Sequence, residues 1–342
     1  MSVSHPRVAI VGATGAVGTE LITCLQQRRF PLSTLRLFAS ERSNGRRMSF
    51  RNESLPVEPL KQDSLASTDI ALFSAGAARS RQFAPYAVRA GAIVVDNSSA
   101  FRMDTGVPLV VPEVNPEALA EHRGVIANPN CVAIIAVVPL WPLHREFGIR
   151  RVIAATYQAA SGAGAAAMEE LRQATRAALA GEALAPRVLR HPYAFNLFSH
   201  DTSVDPVTGS NEEETKVSRE LRKIMGTPDL RVSVTCIRVP VLRAHAIALN
   251  VEFERVVTPE AARQLLQRAA GVRLVDDVER NHFPMPNEAS GQDDVLVGRI
   301  RRDSSDPSGR SLSMFVAGDQ LLKGAALNAV QIAERLVAAR QA

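Results

Sequence analysis

The sequence predicts an α/β protein in two parts: a parallel, doubly wound sheet, then an α+β domain on a largely antiparallel or mixed sheet. Three observations carry this. Val8-Ala9-Ile10-Val11 is a short apolar run that passes at once into Gly12-Ala13-Thr14-Gly15-Ala16-Val17-Gly18 and then into helical spacing through Leu21 and Leu25. That is strand, glycine turn and helix, the opening of a βαβ unit. Further apolar runs at residues 35–39, 70–74 and 92–96, with a helical stretch at 79–89, continue the alternation that a parallel sheet requires. Later in the chain Ile247, Leu249, Val251 and Phe253 alternate with Ala248, Asn250, Glu252 and Glu254, a period of two that marks a sheet with one buried face.

Taken in order, the remaining elements follow from the same patterns. Residues 131–143 form an apolar run opened by Cys131 and broken by Pro139 and Pro142, too short to span a bilayer. Residues 151–160 read as a strand and 163–180 as an Ala-rich helix, followed by a proline-containing excursion over 181–210. From Asp229 the pattern is β, with two further strands at 294–300 and 312–317 and a helical tail over 320–340. The expected division is 1–130 for a Rossmann-like dinucleotide domain and 131–318 for the second, with a C-terminal helix over 319–342.

Composition narrows the function. The 342 residues are 46% hydrophobic, 22% charged and 5% aromatic, an ordinary globular balance that excludes collagen-like, disordered and coiled-coil classes. Forty Lys and Arg against 35 Asp and Glu leave +5, an excess suited to anionic small molecules. No basic run interleaves with aromatics, so nucleic acid is not an expected partner. Three cysteines without a CxxC pair, and an N-terminus without a signal-peptide pattern, point to a reducing, cytoplasmic setting with no disulfide framework. The seven histidines show no metal-ligand spacing, so no metal is expected.

Five groups of residues have chemistry to offer. Gly12, Thr14, Gly15, Ala16 and Val17 lie in a turn whose amides and following helix suit a pyrophosphate. The second strand ends at Ser40, Arg42 and Ser43, which suit a 2′-phosphate and so favour NADP, although Glu41 stands among them. Cys131 opens a helix after Asn128-Pro129-Asn130, where the helix dipole favours a thiolate; a buried, inert thiol is the alternative, and the reading adopted for Cys24 and Cys236. Arg238 and His245 flank Pro240, offering a carboxylate fork and a proton-transfer group, although either alone is more often structural. Glu213 and Lys216 share a helix face as opposite charges, or simply meet solvent, and Gln158, Ser161 and Gly162 lie on a loop before a helix that suits an anion or polarised carbonyl.

Together these stretches resemble the aspartate-β-semialdehyde dehydrogenase family. The matching segments are GATGAVG (12–18), FASERS (38–43), FSAG (73–76), DNSSAFR (96–102), NPNC (128–131), QAASGAG (158–164), EETK (213–216), RVPVLRAH (238–245), GQDDVLVGRIR (291–301) and GDQLLKGAALNAVQIAE (318–334), in family order across almost the whole chain. The resemblance implies that Cys131 is the nucleophile, His245 the general acid/base and Gln158 the group that orients the acyl centre. It implies that Arg238 binds the substrate α-carboxylate and Glu213 its ammonium group, and that Arg102, Asn130 and Lys216 cradle phosphate. Residues 14–17, Ser40, Arg42, Ser43, Ser161, Gly162 and Gln320 would contact NADP. The implied activity is NADPH-dependent reductive dephosphorylation of L-4-aspartyl phosphate to L-aspartate 4-semialdehyde through a Cys131 thioester. The implied setting is lysine/diaminopimelate, threonine and methionine biosynthesis, by a homodimer joined through the second domain. Two departures remove hydroxyls: Val132-Ala133 after the nucleophile, and Ala77-Ala78 after FSAG. The alternatives are an N-acetyl-γ-glutamyl-phosphate reductase, to which EETK and RVPVLRAH are unlike, and a catalytically silent binding or scaffold paralogue, which would typically have lost the Cys or the His.

Overall fold

A computed structural model describes residues 4–182 and 184–339. The chain forms two units, one running to Asn130 and resuming at Ala325, the other Cys131–Gly324. In the first unit the elements are β1 (Arg7–Val11), α1 (Ala16–Gln27), β2 (Thr34–Ala39), β3 (Arg47–Phe50), β4 (Glu53–Pro59), β5 (Ile70–Phe73), α2 (Ala77–Arg89), β6 (Ile93–Asp96) and β7 (Val125–Ala127). They make one sheet in the order β3-β4-β2-β1-β5-β6-β7, parallel except for the β3–β4 pair. Strands β1, β5 and β6 are short continuous apolar runs because helices cover both faces of such a sheet.

The glycine turn is sterically demanded. Gly12 has φ +92°, and a Cβ there would stand 2.2 Å from the Ser74 carbonyl oxygen. A Cβ on Gly18 would stand 2.2 Å from the Gly12 oxygen, so α1 can pack this close to β1 only without one. The amides of Gly12 and Ala13 both donate to the Phe38 carbonyl, pinning the turn to the end of β2.

The second unit holds α3 (Cys131–Phe147), β8 (Ile149–Gln158), α4 (Ala165–Leu179), β9 (Phe198–Ser199), α5 (Glu212–Met225), β10 (Arg231–Arg238), β11 (His245–Phe253), α6 (Pro259–Leu266), β12 (Val272–Leu274), α7 (Pro286–Ala289), β13 (Val295–Arg302) and β14 (Ser311–Gly318). Its seven strands run β12-β13-β14-β11-β8-β10-β9, a mixed sheet in which only β8–β10 and β12–β13 are parallel. Helix α3 runs to Phe147 through Pro139 and Pro142, and residues 132–140 are all buried, as expected of a helix apolar on every side. Among the described residues no helix is long and apolar enough to cross a membrane.

Three sequence expectations need correction. The β3–β4 hairpin and β7 lay outside the predicted strands, since RMSF and ESLPVEP alternate weakly and VIA is three residues long. The excursion over 181–210 contains the two-residue strand β9 on the edge of the sheet. The helical tail does not begin at residue 320: the Asp319 carboxylate accepts from the Leu321 and Leu322 amides, a π-turn follows at Leu322–Ala326, and α8 is Leu327–Ala339. Within the first unit α8 is fixed by Asn328, whose side-chain amide donates to the Val110 carbonyl and Asn128 Oδ1, and by the Arg28–Glu334 pair on α1.

Candidate active site

Strand register places the central residues of the second unit. Strands β8 and β10 run parallel, with Gln158 opposite Arg238 at their last positions. Strand β11 runs against β8 and begins at His245, which pairs with Gly318 at the end of β14. Gln158, Arg238, His245 and the segment after Gly318 therefore collect at one end of one sheet. The loop after β8 is stitched to the turn between β10 and β11 by Ala160 and Ser161 amides donating to the Val241 and Leu242 carbonyls. Gly162 sits directly on the pair: a Cβ there would stand 3.0 Å from His245 Nε2 and 3.1 Å from Arg238 Nη1.

His245 is fully buried, and the Ala159 amide donates to its Nδ1 at 2.9 Å. The acceptor role of Nδ1 puts the ring proton of the neutral imidazole on Nε2, which has no partner. Burial, then the Arg238 charge and His200, hold its pKa well below the usual histidine value. Arg238 reaches the Ala159 carbonyl through Nη1 at 3.4 Å, while its buried Nε lies 3.7 Å from Asp201 Oδ1, too far for a hydrogen bond. Gln158 is buried, and its side-chain amide donates to Thr156 Oγ1 at 3.4 Å. Buried guanidinium and imidazole N–H groups without acceptors are costly in a finished core and fitting in a site that awaits a polar ligand.

The structure adds three residues that sequence reasoning did not single out. His200 is buried, with Nδ1 3.2 Å from Thr202 Oγ1, and its pKa is lowered by burial and then by Arg238, against the raising effects of Glu213 and Asp201. Tyr193 is buried with an unpartnered hydroxyl, its pKa pushed up to about 12 by burial, partly offset by Arg238. Asp201, His200 and Tyr193 lie in the excursion over 181–210, where no periodicity exists to flag them. The only available signal was three polar ring or acid side chains in a segment otherwise read as loop.

Glu213 and Lys216 both bear on His200, but not as a mutual pair. Glu213 is buried, whereas Lys216 Nζ bonds Glu212 Oε1 at 2.7 Å, one turn back. Helix α5 is set by a full capping box, with the Asn211 side chain accepting from the Glu214 amide and Glu214 accepting from the Asn211 amide. The other Glu214 oxygen accepts from the Cys236 amide, docking the helix start on β10.

Cys131 is the first residue of α3 and is partly exposed, whereas Cys24 and Cys236 are buried. Burial pushes the Cys236 thiol up to about 12, which leaves it inert. Gly324 lies against Cys131: a Cβ there would meet Cys131 Cβ at 2.9 Å and Gln320 Cβ at 3.3 Å. The Gln320 side chain accepts from the Ala244 amide through Oε1, and its buried Nε2 has no partner. The Ser161 hydroxyl is likewise buried and unpartnered.

The remaining candidates belong to the first unit. Thr14 and Ser43 hydroxyls are 3.3 Å apart, joining the glycine turn to the loop after β2. As at any helix start, the first amides of α1 have no partner within the helix. Ser40 and Arg42 line a cleft of about 370 Å³ beyond the ends of β2 and β4. The crevice at the carboxyl ends of a parallel sheet is where such folds take nucleotides, and a glycine turn leading into a helix N-terminus fits a pyrophosphate. Arg102 is buried, donating to the Asn128 and Asn97 carbonyls, and Asn130 is buried as the last residue before Cys131. Among the described residues no group of three His, Cys, Asp or Glu is placed to hold a metal ion.

Comparison with known proteins places the chain among proteins of one family. Residues 7–122 match the family model of the semialdehyde dehydrogenase NAD binding domain, and residues 140–323 that of the semialdehyde dehydrogenase dimerisation domain. The chain is 52% identical over 333 residues to the aspartate-semialdehyde dehydrogenase of Synechocystis sp., covering 97% of both chains. It is 44% identical over 337 residues to that of Bacillus subtilis, covering 96% of both. Among solved structures, aspartate semialdehyde dehydrogenase II from Vibrio cholerae superposes with a TM-score of 0.94 at 42% identity, over 98% of this chain and 99% of that one. The same Vibrio cholerae enzyme has been solved complexed with ASA, at 41% identity to this chain and a TM-score of 0.94.

Proposed function

The chain belongs to the aspartate-semialdehyde dehydrogenase family, an oxidoreductase family with a dinucleotide-binding domain, and on that premise we propose that it interconverts L-4-aspartyl phosphate and L-aspartate 4-semialdehyde through a thioester on Cys131, with NADP as cofactor. The observation that carries the reading is the end of the second sheet, where the buried Arg238 Nε and His245 Nε2 have no acceptor of their own. Cys131 Sγ bonds to the acyl carbon as the carbon–oxygen bond to phosphate breaks, the proton given up by the thiol goes to the departing phosphate, and the hydrogen phosphate dianion is met by Lys216 and by Arg102 and Asn130. Arg238 holds the α-carboxylate with its planar fork, and Glu213 meets the ammonium group. The Gln158 amide orients the acyl oxygen. His245 donates from Nε2 to that oxygen while it carries negative charge and recovers the full hydrogen as the charge collapses and the carbon–sulfur bond breaks. The bound dinucleotide supplies the hydride in this direction and accepts it in the other.

Gly12, Thr14, Gly15, Ala16 and Val17 hold the pyrophosphate, and Ser161, Gly162 and Gln320 the nicotinamide half, Gln320 through its unpartnered Nε2. Ser40, Arg42 and Ser43 take the 2′-phosphate. The product feeds lysine, threonine and methionine formation, and two copies of the chain associate through the second unit. The test is a phosphate-dependent assay on aspartate semialdehyde, following NADPH and repeated with NAD. Cys131→Ser keeps the volume and loses the soft nucleophile, so kcat should fall by about a thousandfold or more while NADP binding persists. Turnover that survives in Cys131→Ser but is lost in Cys24→Ser overturns the assignment.

A further inference from the structure

The cleft beyond β2 and β4 contains a residue that the nucleotide motifs do not include. It is lined by Ser40 and Arg42 from the loop after β2, by Leu60 after β4, and by Arg79, Gln82 and Phe83 from the first turns of α2. Glu41 lines it as well. We infer that Arg79 is a second cation for the cofactor's adenosine 2′-phosphate and sets the preference for NADP over NAD, an inference that rests on the NADP reading above.

Four observations support it. Arg42 and Arg79 come from different elements yet face one cleft, and neither side chain has a hydrogen-bond or ion-pair partner among the described residues. Neighbouring arginines do: Arg81, two residues on, is bidentate with Asp104, and Arg36 is bidentate with Glu58. Charge balance comes next. With Glu41 in the cleft, Arg42 alone would leave it neutral, and Arg79 is what makes it positive toward a dianion. Third, Arg79 lies in the first turn of α2, the positive end of the helix, where a cation is disfavoured unless an anion joins it. Last, its backbone is fixed, because the Ser80 hydroxyl donates to the buried Asp96 at 2.7 Å and the Ser80 amide to the Gly76 carbonyl. Gln82 and the half-buried Phe83, three and four residues on, share the face of Arg79, and the Phe83 ring gives an adenine a flat apolar wall beside the phosphate.

Calorimetry with 2′-AMP and 5′-AMP, and steady-state kinetics with NADP and NAD, test this on wild type, Arg79→Ala and Arg79→Glu. Arg79 is an exposed helix residue, so both variants should fold, and circular dichroism checks this. Arg79→Ala should weaken 2′-AMP and raise KM for NADP about tenfold or more, the scale of one charge-assisted contact, with 5′-AMP and NAD changed less than about twofold. Arg79→Glu should extend the loss for the 2′-phosphate ligands alone. A wild type that binds 2′-AMP no better than 5′-AMP removes the NADP reading and the inference together. A wild type that prefers 2′-AMP, with a variant that keeps the preference, removes the role of Arg79 only. Equal weakening of both nucleotides makes Arg79 an adenine contact and overturns the inference.

Discussion

Single side chains in this protein earn their roles through what surrounds them, and His245 is the clearest case. A histidine beside a proline break is, by sequence, a proton-transfer group near neutrality. Full burial and the Arg238 guanidinium change that: the ring stays neutral in the folded chain, with its proton on Nε2 and Ala159 bonded to Nδ1. This has a consequence for stability. Above about pH 6.5 His245 is neutral in both the folded and unfolded chains, so it has no pH-dependent effect there. As pH falls below that value the unfolded chain takes up a proton that the folded chain refuses, and stability is lost until the much lower folded pKa is reached. The expected contribution approaches about 1.4 kcal/mol per pH unit below pH 6.5. His200, lowered chiefly by burial, adds in the same direction. Urea unfolding of wild type and His245→Gln between pH 8 and pH 5 measures it, and the variant should lose stability less steeply. Parallel curves would show that His245 is charged in the folded protein.

Elements then determine whether such residues meet. The strands carrying Gln158, Arg238 and His245 were legible as periodic apolar runs, and the glycine turn as a nucleotide motif. Their register was not, because hydrogen-bond pairing between distant strands leaves no local pattern. Nor was Asp201 or Tyr193 legible, since the excursion over 181–210 has no period to read. The turn between β10 and β11 shows how an element is held. Ala244 sits at φ +72°, in the left-handed region that costs a non-glycine residue about 1–2 kcal/mol, and it directly precedes His245. It is kept there by Gln320 accepting from its amide, and by Arg243 bonded to Asp319, a carboxylate that also accepts from the Gly291 amide. Gln320→Ala should therefore lower kcat by about tenfold through the position of His245, beyond any change in cofactor KM. The double variant Gln320→Ala/Ala244→Gly frees this turn further, so kcat should fall again. If Gln320→Ala alters only the cofactor KM, the residue is a cofactor contact and holds no turn.

At the scale of the molecule, the second sheet is finished on one face only. Along β8, Val152, Ala154, Thr156 and Gln158 are buried, while Ile153, Ala155 and Tyr157 on the opposite face are not. Ile153 is 41% exposed, and the adjoining groove of about 570 Å³ is lined by Ala155, Phe283 and Phe315 together with Asn250, Arg299 and Arg301. An exposed β-branched residue beside Phe283 and Phe315 on an open sheet face is where a partner is expected, and the family model over residues 140–323 is that of a dimerisation domain. The opposite face of β8 also ends on Gln158, so association through this face and the order of the site share one strand. Ile153→Lys places a charge in the middle of the proposed contact while leaving the buried face of β8 untouched. Sedimentation should show wild type as a dimer at micromolar concentration and Ile153→Lys shifted toward monomer by at least about tenfold in Kd. Activity should then fall with dilution in the variant before it does in wild type. A variant that stays dimeric places the contact on another surface of the second unit, and one that becomes monomeric with full activity separates association from the order of the site.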